Sequence, residues 1–173
     1  MKKVLCILFC ILLLNGCGKI KTKDVEKEPL NISGFNTVVK TQINNIEICG
    51  NAQYVVNDAL YFEFSTPETL KGTKATCRDG EYLIEFNELS VTIAGNKLPF
   101  NMICKALETC VNNVQGATPQ VDSVTKQLVY TYNLENHLCK LYTDAQTKNF
   151  IKLTVDERDV LYFESFEYMG QTE

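Results

Sequence analysis

From Phe35 onward, apolar and polar positions mostly alternate in short runs broken by turn residues, the signature of half-buried antiparallel strands. The alternation predicts strands over Phe35–Ile43 and Ile46–Val56 around Asn44-Asn45, then Ala59–Ser65, with Leu60, Phe62 and Phe64 on one side. Thr66 to Gly72 reads as a single helical turn, with Thr66 as cap, Pro67 in the first helical position and Gly72 as the left-handed stop. Thr73–Cys77, Glu81–Phe86 and Leu89–Ala94 follow as three more strands, the first two joined through Asp79-Gly80, a strong hairpin signal.

The period changes once. Over Pro99–Asn113, Phe100, Ile103, Leu107 and Cys110 or Val111 recur at the spacing of an amphipathic helix that opens with a proline. Val114 to Ser123 reads as a loop, and Lys126–Leu134, His137–Tyr142, Phe150–Val155 and Val160–Met169 close the chain as four strands. Leu128, Tyr130, Tyr132 and Leu134 share one side of their strand, as do Val160, Tyr162, Phe166 and Tyr168 of theirs. Ten strands and one helix predict a mainly β (α+β) fold: a curved antiparallel sheet, an unclosed barrel, covered by one amphipathic helix. Either the helix fills the concave face, or it leaves an apolar cavity lined by Leu60, Phe62, Phe64, Phe100, Ile103, Leu107, Leu128, Tyr130 and Tyr132.

The first 34 residues have a different texture. Lys2 and Lys3 precede an eleven-residue apolar run, Val4 to Leu14, too short for a hydrocarbon core of about 30 Å that takes about 20 helical residues. The run reads as an export signal, and Leu14-Asn15-Gly16-Cys17 resembles the lipobox of bacterial lipoproteins. That resemblance implies cleavage after Gly16 and a diacylglycerol on the Cys17 thiol, an anchor of two acyl chains that would hold stably on a membrane. Residues 17–34, rich in charge and without a sustained period, read as a tether, and 35–173 as the folded domain.

Composition narrows the function. The 173 residues carry 17 Lys and Arg against 21 Asp and Glu, and loss of residues 1–16 removes two lysines and no acid, leaving a net charge of −6. Without a basic block, nucleic acid is not an expected partner. Five cysteines remain in the domain, Cys49, Cys77, Cys104, Cys110 and Cys139, an odd number and with no CxxC spacing. Cys104 and Cys110 fall about 120° apart around a helix and cannot bridge. The reading is free thiols with no metal site and no cofactor. His137 stands alone, nucleotide and hydrolase motifs are missing, and Glu63, Glu85, Glu164 and Glu167 alternate onto a solvated sheet face, so an enzyme is not expected.

The order lipobox, tether, meander, helix opening with Leu98-Pro99-Phe100, and closing meander resembles the LolA/LolB-type lipoprotein carriers and related lipid-carrying lipoproteins. The resemblance implies an unclosed barrel with a helical lid that shelters acyl chains between sheet and helix. The expectation is therefore an extracytoplasmic lipoprotein of the cell envelope that binds a lipid or other apolar ligand. The alternative is a non-catalytic lipoprotein that docks another envelope protein through its acidic surface or an open sheet edge.

Overall fold

The computed structural model describes residues 30–98 and 100–170, and the signal, Cys17 and Pro99 lie outside them. Eleven antiparallel strands form one open sheet in the order β6-β5-β4-β3-β2-β1-β11-β10-β9-β8-β7. The first wing is a meander: β1 (Gly34–Ile43), β2 (Ile46–Val55), β3 (Leu60–Thr66), β4 (Lys74–Arg78), β5 (Glu81–Phe86) and β6 (Leu89–Ala94). The second runs through β7 (Gln120–Val121), β8 (Leu128–Leu134), β9 (His137–Thr143), β10 (Phe150–Val155) and β11 (Arg158–Tyr168). Pairing of β11 with β1 welds the wings, and the helix α1 (Asn101–Val114) crosses between them on the concave face. The unclosed, mainly β architecture with one helix is therefore as the alternation predicts.

The turns explain the meander locally. Asn44, Asn45, Asn57, Asp79 and Asn87 all take positive φ, which Asn and Asp tolerate best among residues with a Cβ. Two later turns repeat one device. Asp122 accepts the N–H groups of Val124 and Thr125 at 2.9 and 2.7 Å, and Asp144 those of Gln146 and Thr147 at 2.8 and 2.7 Å. Each loop then closes on a lysine at positive φ, Lys126 or Lys148. The backbone bonds hold both carboxyls below the usual carboxylate range.

Four local expectations are corrected. Residues 30–33 belong to the domain rather than to a tether: Leu30 and Ile32 are buried, and Leu30 bridges to Gln115 at the end of α1. The loop after the helix contains β7. The helical turn shrinks to a 3-10 turn over Glu68–Leu70, with Pro67 in the capping position and no side-chain cap, so Thr66 ends β3 instead. Lastly, Tyr162 faces outward at 44% exposure while Leu161 and Phe163 are buried. The ladder slips where Thr37 sits between the pairs Asn36–Glu167 and Val38–Glu164, and Ser165 there takes a φ of 50°. This bulge adds one residue to β11, so the inward-facing set changes parity from the buried Leu161 and Phe163 to the half-buried Phe166 and Tyr168.

The core is uneven. Phe35 of β1 joins Phe150, Phe163, Phe166 and Tyr168 of the second wing in a continuous aromatic cluster with ring centroids 4.7 to 6.5 Å apart. Leu128, Leu141, Leu153, Cys110, Val111 and Val114 complete it, all with at most 1% exposure. The helix thus presses its buried face, from Ala106 to Val114, chiefly against β8 and β9.

Candidate functional site

On the first wing the helix no longer fills the concave face. Phe100, Ile103, Cys104 and Leu107 look across a gap at the inward side chains of β1 to β5, which small residues keep low: Ala52, Ala75 and Cys77 lie between the larger Leu60, Phe62 and Phe64. Gly50 has the same effect. A Cβ there would stand 2.3 Å from the Glu63 carbonyl oxygen and 2.8 Å from the Phe62 ring, so only glycine lets that ring lie over β2. The result is a hollow with room for the centre of a water-sized sphere over about 60 Å³. At roughly 10 to 15 Å³ per such centre, that holds on the order of five water-sized groups, or a short run of methylenes.

The hollow has little polar chemistry. Thr41 lines it, but its hydroxyl donates to the Val160 carbonyl oxygen at 2.6 Å. Tyr82 donates to Asn101 Oδ1 at 3.3 Å and packs edge-on against Phe100, the ring centroids 5.3 Å apart. Burial, with Cys104 and Cys77 alongside, pushes the Tyr82 phenol well above its ordinary value. Burial also raises the Cys77 thiol and pushes Cys104 up to about 12, which favours the neutral thiol in both. All five domain thiols are unpaired. Among the described residues, no three His, Cys, Asp or Glu side chains converge on a point that could hold a metal ion.

Of the nine residues expected to line a cavity, the structure brings six together: Leu60, Phe62, Phe64, Phe100, Ile103 and Leu107. The other three are corrected. Leu128, Tyr130 and Tyr132 pack in the filled wing, because α1 lies directly on β8; Tyr132 donates its hydroxyl to the Ala106 carbonyl oxygen of the helix. Val39, Ile43 and Ile48 on the first hairpin and Tyr82 on β5 line the hollow as well, beyond the nine expected. Their alternation was visible, but only the sheet order shows that these hairpins, and not β8, face the open half of the helix.

Three tyrosines from three strands hold α1 in place. Tyr82 reaches its first turn, Tyr132 its middle, and Tyr54 its last turn through Asn112 Oδ1 at 3.1 Å. Just past the helix, Gln115 Nε2 donates to the Ile32 carbonyl oxygen at 3.0 Å. Ile43, Ile46 and Phe86, near the hairpin tips above the hollow, leave an apolar rim, with Ile46 and Phe86 54% and 45% exposed.

No protein-family model and no curated protein matches the chain. Among solved structures, it is similar to an uncharacterized conserved protein from Thermus thermophilus, at 14% identity over 87% of this chain and 86% of that one, with a TM-score of 0.46. It is also similar to a LolA superfamily protein from Nitrosomonas europaea, at 10% identity over 75% of this chain and 66% of that one, with a TM-score of 0.34.

Proposed function

We propose that the protein is a non-catalytic, membrane-anchored lipoprotein of the cell envelope that shelters an acyl chain or another slender apolar ligand between α1 and the first wing of its sheet. The observation that carries the reading is the contrast between the two halves of one concave face. The second wing buries its inward side chains beneath the helix, whereas under the same helix the first leaves an apolar hollow whose hydroxyls are already bonded to the protein. Such a lining offers a ligand exclusion from water and almost no directional bond, which suits a hydrocarbon and not a polar metabolite. A ligand longer than the present hollow would need α1 to move outward at Phe100 and Ile103, where the helix is half-buried and held mainly by Tyr82.

The test is mass spectrometry of the exported protein, first under native and then under denaturing conditions, with organic extraction of whatever is released. Covalent acyl groups on Cys17 would remain in both spectra, while a sheltered lipid appears only in the native one. We expect a lipid adduct at near one-to-one stoichiometry; a clean native mass after incubation with membrane lipids would refute the binding role. The anchor is tested separately. Cys17→Ala should move the protein from the membrane to the soluble fraction, and a variant still on the membrane would show the lipobox reading to be wrong.

A further inference from the structure

Among the described residues, β6 is one of the two free edges of the sheet, and nothing in its sequence protects it. The Gly95 N–H bonds to the Gly80 carbonyl oxygen at 2.8 Å, which fixes the phase of the β5–β6 ladder. Leu89, Val91 and Ile93 exchange bonds with β5, and the backbone groups of Ser90, Thr92 and Ala94 point away from the sheet. Six consecutive residue pairs run without a bulge, from Glu81–Ala94 to Phe86–Leu89. Leu-Ser-Val-Thr-Ile-Ala contains no charge, proline or glycine, the devices by which sheet edges usually resist pairing. Leu89 and Val91 are also 75% and 53% exposed on the concave side, the face they share with Phe86 and Ile84.

We propose that β6 pairs antiparallel with β6 of a second copy of this chain about a two-fold axis at Thr92. A lipid surface would cover Leu89 and Val91 but leave the outward N–H and C=O groups without partners in an apolar medium, whereas a strand satisfies both. The second copy fits by symmetry. Centring on Thr92 opposes Thr92 to Thr92 and Ser90 to Ala94 in bonded pairs, and sets Val91 against Ile93 on the concave face. It also carries Glu88 of each copy to the Gly95–Lys97 turn of the other. Neither Glu88 nor Lys97 has an ion-pair partner within its own chain among the described residues. The two sheets become one, with their concave faces on the same side.

Sedimentation equilibrium of the purified chain tests the pairing independently of any ligand, since it reads mass alone. The wild type should sediment at twice the chain mass. Thr92→Pro removes one outward N–H without touching the β5 ladder, and Val91→Lys places a cation in the shared face; both should sediment as single chains while keeping a cooperative melt. Glu88→Lys should weaken association, and adding Lys97→Glu should restore it. A wild type that stays monomeric at about 100 μM, a dimer that neither Thr92→Pro nor Val91→Lys disrupts, or a charge swap without rescue overturns the proposal.

Discussion

Tyr54, Tyr82 and Tyr132 each bury a ring under or beside α1 and spend the hydroxyl proton on the helix, so the helix is held by neutral phenols. Each such bond contributes about 1 kcal/mol net, and more is lost if the acceptor is then left buried and unmet. Burial pushes the phenols of Tyr54 and Tyr130 up to about 12 from 10.0, and the Cys104 thiol up to about 12 from 9.0. The sign follows directly. These groups ionise sooner in the unfolded chain than in the folded one, so their stabilisation is complete below about pH 9 and is lost as pH rises from 9 toward 12. The melting midpoint should accordingly hold level through neutral pH and fall steadily above about pH 9. A midpoint unchanged to pH 11 would contradict the buried, neutral state of these side chains. On the acid side the exposed Asp156 carboxyl, held below its usual range by His137 and the Leu138 N–H, works in the opposite direction.

At the scale of elements, α1 serves two purposes with one apolar stripe. Ala106, Cys110, Val111 and Val114 are fully buried over the second wing, while Phe100, Ile103 and Cys104 remain half-buried over the hollow. Leu107, at 2% exposure, is on the boundary and belongs to both. Leu107→Ala should therefore cost about 2 to 5 kcal/mol. Denaturant unfolding measures this, and an unchanged midpoint would mean that the helix does not pack there. The same stripe was readable as i, i+3, i+7 spacing, and the hairpins as period 2, because both patterns are local. The face of β11 was not. Val160, Tyr162 and Leu161, Phe163 are two equally apolar alternations, and choosing between them depends on the bulge opposite Thr37, a contact made across most of the sequence between Thr37 and Ser165. The turns on Asp122 and Asp144 were similarly hidden, since their meaning lies in backbone bonds rather than in periodicity.

For the molecule as a whole, the decisive feature is asymmetry between wings of a single sheet. Which inward residues line a space and which are buried solid depends on where one helix lies across eleven strands, so the sequence could nominate nine lining residues but not separate the six at the hollow from the three beneath the helix. The open edges follow from the same topology: β1 and β11 close the middle of the sheet, and β6 and β7 are left free at its ends. If the first-wing hollow is the site that takes up an apolar ligand, Ala75→Phe should block it. Ala75 is 4% exposed and lines the hollow, so the added ring would occupy the space a ligand needs. The measurement is the native mass spectrum of this variant beside the wild type, with thermal melting to establish that both are folded. A lipid adduct is expected on the wild type and none on a cooperatively melting Ala75→Phe; an adduct of equal occupancy on both would rule the hollow out as the binding site.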